Sequence, residues 1–300
     1  MSLPPYPPPS GPTNGGRQLG LYPLRPLRIG EIFAAAVRVA WRHLTVLAPL
    51  ALLAGVVALG VQFSLLASSG SLHDYASGQL LAIPVNPTQA DLNALVDRLV
   101  RDYLPAVLVS SLISLIAGPI LAGIATPFAA LGATSTVSTN GAGLARLRGR
   151  WGVLLGSGVV VGLAIAVGSV LLVVPGIMAW LILLPAGPVA AMEGSTLGDS
   201  IKRAAVVSKG FKGRLFGVSI LSSLISGAIA LVVSSIVGRL VSTEQPISHL
   251  VVTSVATVLV GALTVAWSSS VVAMLYIDIR IRREGLAQAL AAAAGPSRFS

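Results

Sequence analysis

The side chains able to do acid–base or metal chemistry are few and scattered. The chain has 3 His, 10 Asp or Glu and no Cys. His43, His73 and His249 do not form the H-x-x-x-H or H-E-x-x-H spacings that place two metal ligands on one helix face. We expect them at the ends of apolar segments or in separate loops, where no acid–base pair can assemble. The sequence therefore predicts no catalytic residue, metal site or cofactor, and a protein that is not an enzyme.

Hydroxyl side chains form a second pattern, at helical spacing in two apolar segments. They are Ser219, Ser222, Ser223 and Ser226 in the first, and Thr253, Ser254, Thr257, Thr264 and Ser268 in the second. Such faces have two uses. They line a polar path for a solute or lipid headgroup, or they form hydrogen bonds between helices at about 0.6 kcal/mol each, which is the commoner use.

Three acids, Glu31, Glu193 and Asp278, adjoin basic segments. Asp278 precedes Arg282 by four residues, as Arg280 precedes Glu284, and this spacing brings opposite charges together on a helix. We expect Glu193 and Asp278 to hold basic helices in place. The interpretation predicts that Asp278→Ala lowers the stability of the protein in detergent.

The composition indicates a chain that is embedded in the lipid bilayer. Of its 300 residues, 10% are charged, against about 25% in soluble domains, and the mean hydropathy is +0.87. A span needs about 20 apolar residues. We predict an all-α integral membrane protein with six transmembrane helices, at 44–67, 104–133, two within 151–192 that meet at Pro175 and Gly176, 215–237 and 250–277.

The spans contain no internal charge, which disfavours an ion-coupled pump, and Gln62 is their most polar residue apart from the hydroxyls. Glycine pairs such as Gly158 with Gly162 resemble a phosphate loop, but inside an apolar span they indicate close helix packing. Pro185 and Pro188 mark either a broken helix lining a site or a simple kink near the interface.

Amphipathic segments lie between the spans. Segments 30–44 and 198–209 are elbow helices, by which we mean short helices at the membrane surface that lead into a span. Thr88 with Asp91 predicts a capping box before a further helix. The elbows suggest a possible threefold hairpin repeat. We predict a disordered Pro/Gly-rich tail at 1–23, the membrane domain at 24–285 and a short tail at 286–300.

The basic residues fix an orientation. All of the 20 Lys and Arg except Arg98, Arg101 and Arg239 fall on one side of the predicted topology, which should be cytoplasmic. The basic residues expected at that membrane interface are Arg38, Arg42, Arg146, Arg148, Arg150, Lys202, Arg203, Lys209, Arg280, Arg282 and Arg283. Both termini are then cytoplasmic, in a plasma (inner) membrane. Anionic lipids explain the net charge of +10 without nucleic acid as a partner.

Three segments resemble a known family. LRPLRIGEIFAAAVRVAWRH, PVAAMEGSTLGDSIKRAAVVSKG and LYIDIRIRREG are similar to the signature regions of the bacterial glycerophosphoryl diester phosphodiesterase membrane domain, over residues 24 to 290. The family is named for fusions to a catalytic barrel, and the resemblance here implies the membrane portion alone, which has no established activity. Arg28 stands where the family has a small N-capping residue, and the second elbow is shortened to NGAGLARLRGR.

Three functions remain open at this point. The preferred one is a non-catalytic scaffold or accessory to other membrane components, acting through the cytoplasmic elbows with a membrane protein partner or by self-association. The alternative is a transporter or flippase-like carrier of a small solute or lipid headgroup, which would use the hydroxyl faces. The third is a phosphodiesterase, and the sequence lacks the paired histidines that its metal and acid–base chemistry would need.

Overall fold

The computed structural model describes residues 20–23, 25–134, 139–194, 196–240 and 246–285. Residues 1–19 of the predicted tail at 1–23, and the whole predicted tail at 286–300, lie outside this part of the chain. The described residues are helical or loop, without a strand, and nearly all of the helical ones are α-helical. The fold is that of an all-α membrane protein, because six helical segments are long and apolar enough to cross a bilayer.

The six spans follow the predicted order. Span one is α2 (Leu44–Ser68), span two is α5 (Leu104–Thr134), span three is α7 (Trp151–Leu171), span four is α8 (Val173–Leu183) with α9 (Ala186–Met192), span five is α11 (Lys212–Leu240) and span six is α12 (Pro246–Glu284). The break in span four falls at Pro185, so this span is a broken helix. Together these spans make the protein multi-pass.

Shorter helices connect the spans. Each odd-numbered span follows one of them: α1 (Ile29–Arg42), α6 (Asn140–Ala145) and α10 (Leu197–Ser208). Between spans one and two lie α3 (Leu72–Ala76) and α4 (Gln89–Arg98), and α4 joins α5 through a single π turn. The capping box is confirmed, since the Asp91 N–H donates to Thr88 Oγ1 and the Thr88 N–H donates to the Asp91 carboxylate.

Two predicted helix ends are wrong. Spans three and four separate at Leu172, whose backbone is extended (φ −162°, ψ 140°), and not at Pro175 and Gly176. Pro175 lies in the first turn of α8, where a helix needs no N–H donor. The glycines that follow the elbow segment 198–209, Gly210 and Gly213, predict the end of that helix, but Gly213 lies inside α11. Gly210, with φ 87°, makes that turn.

The ordered N-terminal segment begins earlier than the predicted boundary at residue 24. Tyr22 is buried, and its hydroxyl donates to the Ala129 carbonyl at 2.8 Å. Burial raises the pKa of the Tyr22 hydroxyl, so it stays a donor. Gly20–Pro23 therefore belong to the folded domain.

Span two is the centre of the bundle and packs against spans one, three, four and six. Glycines permit the closest approaches. A Cβ at Gly158 would lie 2.8 Å from the Ile116 carbonyl oxygen, and a Cβ at Gly187 would lie 1.8 Å from that of Pro119. The packing interpretation of Gly158 and Gly162 is thus confirmed. Span five differs, because it packs mainly along span six, with a smaller contact to α8.

Candidate functional site

All six spans contribute to the wall of one cavity, which we call the chamber. Its volume is about 510 Å³, within the usual range for small-molecule sites of about 300–1,000 Å³. Spans two and five lie on either side of it, and each of them packs on span six. The chamber is therefore large enough for a ligand and lies inside the bundle.

The chamber wall is largely apolar and carries no charge among the residues that the structure describes. Its polar side chains, apart from the indole of Trp180, are one amide and a set of hydroxyls: Gln62, Ser110, Ser111, Ser114, Ser219, Ser222, Ser223, Thr257, Ser268 and Ser269. Hydroxyls both donate and accept hydrogen bonds, so such a wall can recognise an uncharged polar group.

In spans two and six, most of the chamber hydroxyls donate to a carbonyl of their own helix, although the described part of the chain shows no such bond for Ser111 or Ser269. Ser110 donates to the Val107 carbonyl at 3.1 Å, Thr257 to that of Thr253 at 2.8 Å, and Ser268 to that of Val265 at 3.1 Å. Thr253 and Thr264 do the same. For Thr253, Thr257, Thr264 and Ser268, the hydroxyls that donate to their own helix, the predicted use in hydrogen bonds between helices is therefore wrong.

Span five behaves differently. Ser219 and Ser222 are 6% and 4% exposed, and neither hydroxyl has a hydrogen-bond partner in the described part of the chain. An unmade hydrogen bond of a buried hydroxyl costs about 1–3 kcal/mol. Since both residues line the chamber, a ligand there can supply the missing partner.

The chamber is closed at one end and open at the other. Ser219, Ser222 and Ser269 are buried at the end nearer α10, whereas Ser111 and Thr257 are exposed at the opposite end. Ser111 follows the start of α5 at Leu104 by about 10 Å along the helix. Ser111 therefore lies inside span two and not at its end, and from this exposed chamber residue we infer an opening on the side of the bundle.

A buried ion cluster lies beyond the closed end. Asp278 is fully buried, and its carboxylate accepts hydrogen bonds from the Leu27 N–H at 2.7 Å, Arg214 Nε at 2.8 Å and Arg282 Nε at 2.9 Å. Both guanidinium groups also donate to the Leu27 carbonyl, at 2.6 and 2.8 Å. We call these four residues the Asp278 cluster. It ties the N-terminal segment to spans five and six.

A second cluster, the Glu193 cluster, joins the end of span four to α10 and α12. Arg203 Nε donates to Glu193 at 2.8 Å, and Arg203 also contacts Glu284. Arg280 pairs with Glu284 at 2.9 Å, and the Tyr276 hydroxyl donates to Glu193. The two pairs expected from four-residue spacing, Asp278–Arg282 and Arg280–Glu284, are present. Glu193 reaches an elbow arginine, while Asp278 reaches Arg214 at the start of span five.

Sequence reasoning missed the partners that are distant in the chain. It counted Arg214 only as one more positive charge, and it gave no role to the backbone of Leu27 or to Tyr276. No periodic signal marks them, because Leu27 and Asp278 are 251 residues apart and one partner is the main chain. The hydroxyl spacing in spans five and six, with Gln62 in span one, was the usable signal for the chamber.

Glu31 caps α1 in place of a small side chain at Arg28. The Arg28 N–H donates to the Glu31 carboxylate at 2.7 Å, and Arg25 pairs with it at 2.6 Å. The Arg28 N–H, with a further contribution from the Arg25 charge, holds the pKa of Glu31 below its ordinary value. An ionised Glu31 also suits the positive end of the helix dipole.

The remaining basic residues divide into those bound to carbonyls and those at the surface. Arg38 donates to Leu21, Arg150 to Ala191, and Arg283 to Val206 and Lys209. The exposed ones are Arg42, Arg146, Arg148, Lys202 and Lys209. This second group can face anionic headgroups.

The histidines do not come together. His43 is buried against the Phe128 ring, with Nδ1 2.7 Å from Asn140 Oδ1, and burial lowers its pKa. His73 and His249 belong to α3 and the start of α12. Within the described ranges, no group of three or more His, Asp or Glu side chains could hold a metal ion.

Comparisons of the chain with protein families, with curated proteins and with solved structures found no match. The resemblance to the glycerophosphoryl diester phosphodiesterase membrane domain stays a prediction. The chamber and the ion clusters are therefore the basis for any functional argument.

Proposed function

We propose that the protein is a non-catalytic carrier that binds a small solute or a lipid headgroup in the chamber. The observation that carries the proposal is the pair of buried, unpaired hydroxyls of Ser219 and Ser222, which line a cavity built by all six spans. This was the second-ranked alternative from sequence, and the geometry favours it over the scaffold.

The pattern of hydrogen bonds supports a binding role. Thr257, Thr264 and Ser268 on α12 donate to a carbonyl of their own helix, so a hydroxyl in a span can obtain a partner without a ligand. The two buried chamber hydroxyls of span five, Ser219 and Ser222, do not form this bond. Groups left without partners in a cavity of ligand size are the usual sign of a site that a ligand completes.

The wall also indicates the kind of carrier. Proton- and ion-coupled carriers hold ionisable side chains within the membrane. The described wall of the chamber has none, and Gln62 is its one amide. We therefore propose that the ligand moves down its own concentration gradient, or exchanges between the two leaflets, without coupling to an ion.

We further propose a plasma (inner) membrane location with both termini in the cytoplasm. The exposed cations Arg42, Arg146, Arg148 and Lys202 would then face the anionic leaflet, each contributing about 1 kcal/mol to attraction. Reporter fusions at the two ends of the chain test this, since fusions that report different compartments contradict an even number of spans.

Filling the chamber tests the carrier. A Cβ at Gly261 meets nothing within 4 Å and points to free space in the chamber wall, so Gly261→Leu should occupy the cavity without disturbing the helices. In proteoliposomes we expect this variant to lose flux of glycerol or of fluorescent lipids. Gly217→Leu is the matched control, because Gly217 has equal space but lies outside the chamber. Absence of flux in the wild type, or equal flux in Gly261→Leu, contradicts the proposal.

A scaffold or accessory role is the second candidate, and span five is the observation that favours it. Only 6% of its most apolar window is buried in the protein, against 50% for span four. A partner membrane protein or a second copy of the chain could cover this face. Co-purification of a stoichiometric partner, or a dimer in detergent, together with absent flux, would favour the scaffold over the carrier.

We propose no hydrolytic activity. Incubation of the purified protein with a glycerophosphodiester should release no alcohol. Hydrolysis that survives in His43→Gln, His73→Gln and His249→Gln variants would show acid–base groups other than histidine.

A further inference from the structure

We infer that the ligand of the chamber is an uncharged lipid with a hydroxyl- or ester-bearing headgroup, which enters from the side of the bundle and places that headgroup against Ser219 and Ser222. The inference rests on the proposed function and names the substrate class of the same site. Diacylglycerol is the simplest probe of this class.

The charge of the site excludes an ionic headgroup. The described chamber wall holds no Lys, Arg or His that could neutralise a phosphate. The nearest guanidinium in sequence on α11 is Arg214, five residues before Ser219. That guanidinium is already bound to the Asp278 carboxylate and the Leu27 carbonyl. A phosphate brought into this wall would be a buried, unpaired charge, which costs far more than a buried hydroxyl or ester.

The shape of the site indicates an elongated, mostly apolar ligand. On α12 the wall runs from Thr257 to Val272, about 22 Å along the helix, and most of it is Ala, Val, Leu and Gly. The two buried, unpaired hydroxyls lie at the closed end, whereas Ser114 and Thr257, toward the open end, are bonded to their own helix. A polar head at Ser219 and Ser222 with a hydrocarbon chain toward Thr257 matches this distribution.

The route of entry separates a lipid from an aqueous solute. Span five packs mainly on span six and not on span two, and the chamber residue Ser111 on span two is exposed, so we place the opening between spans two and five. The end near α10 is closed by buried residues and the Asp278 cluster. An opening on the side of the spans meets hydrocarbon, and a molecule already dissolved in the bilayer reaches it without crossing water.

Photolabelling tests the inference. The purified protein in nanodiscs is labelled with a diacylglycerol whose acyl chain carries a diazirine, and the labelled peptides are identified by mass spectrometry. We expect label on α5, α11 and α12, and about tenfold less in the Ser219→Ala/Ser222→Ala double variant, which loses two hydrogen bonds to the headgroup. Ser268→Ala is the matched control, because that hydroxyl lines the chamber but is bonded to Val265. It should label like the wild type.

Competing ligands distinguish this inference from the carrier proposal. Unlabelled diacylglycerol should reduce labelling, while phosphatidic acid and free glycerol should not. Stronger competition by phosphatidic acid or by free glycerol overturns the uncharged-lipid inference and leaves the carrier standing. Labelling that is undiminished in Gly261→Leu shows that the probe binds outside the chamber and contradicts both. An unchanged melting curve of the double variant shows that any loss of label reflects binding and not folding.

Discussion

Along α11, the polar side chain in the first turn has hydrogen-bond partners in the described part of the protein, whereas the buried serines in the next two turns do not. Arg214 makes hydrogen bonds to the Asp278 carboxylate and the Leu27 carbonyl. Ser219 and Ser222, five and eight residues further along the same helix, are buried without a partner among the described residues. The charged group that ties the helices together is saturated by protein, whereas these two buried hydroxyls of the chamber wall have no partner among the described residues.

Packing shows the same contrast. At Gly187 the backbones of spans two and four approach so closely that a Cβ would lie 1.8 Å from a carbonyl oxygen. At Gly118, one residue before the proline that supplies that carbonyl, a Cβ meets nothing within 4 Å because the residue faces the chamber. Tight packing and free space thus lie on two sides of one helix.

The largest loss of stability is expected when the carboxylate of Asp278 is removed. Asp278→Ala leaves two guanidinium groups and the Leu27 N–H without their acceptor in a buried position, and we expect a loss of about 3 kcal/mol or more of stability. Thermal melting in detergent measures it. Asp97→Ala is the control, since Asp97 forms an exposed pair with Arg101 that contributes little. Equal melting temperatures for the two variants would show that the Asp278 cluster does not hold the fold.

The next largest loss of stability is expected when a methyl group is added at a glycine where two helices touch. Gly187→Ala forces spans two and four apart and should cost about 1–3 kcal/mol. Gly118→Ala should be neutral or stabilising by up to about 1 kcal/mol, because alanine is the better helix former and has room. Melting curves of the pair measure the difference. A lower melting temperature in both variants would mean that the free space beside Gly118 is not retained in solution.

Serine substitutions extend the contrast to hydroxyls. Ser219→Ala and Ser222→Ala remove groups without partners, so the melting temperature should stay or rise slightly. Ser208→Ala removes a buried hydroxyl that donates to the Ile182 carbonyl at 2.8 Å, and should cost about 1 kcal/mol. If the chamber serines prove as costly to remove as Ser208, they have structural partners and the contrast is lost.

The smallest effect is a pH dependence at His43. Burial, helped by the charge of Arg42, lowers the pKa of this imidazole, so the unfolded chain binds its proton more readily than the folded one. The contribution of neutral His43 to the free energy of unfolding is therefore fully present above the unfolded pKa of about 6.5, and it is lost as the pH falls below that value. Between about pH 7.5 and 5.5 the melting temperature should fall in the wild type and in His73→Gln, and fall less in His43→Gln. A fall of the same size in His43→Gln would assign it to other groups.

Much of this fold follows from sequence because bilayer thickness and helix periodicity act locally. Hydropathy located six spans, and spacing alone identified the capping box at Thr88 and the Asp278–Arg282 pair. Local rules failed where geometry overrides them. Proline at 175 signals a break, yet the chain turns at Leu172 because a proline is acceptable in the first turn of the following helix.

The candidate site was visible only in part. Ser219 and Ser222 stood out by their spacing, as did Thr257 and Ser268, and nothing in the sequence distinguishes the two sets. Their difference depends on which hydroxyl reaches the carbonyl one turn earlier, and on how far span five lies from span two. Both are properties of three-dimensional packing that no window of residues encodes.

The backbone contacts of Leu27 have a consequence for how the protein is made. Its partners Arg214 and Asp278 lie 187 and 251 residues further along. At about 5–20 residues per second, a ribosome needs roughly 10–50 s to reach them. During that interval the main-chain groups of Leu27 lack these partners, and they can be bound only after the last helix has entered the bilayer. Because Leu27 is also fully buried, position 27 requires an apolar side chain that leaves the backbone N–H free to donate, which excludes both charged residues and proline.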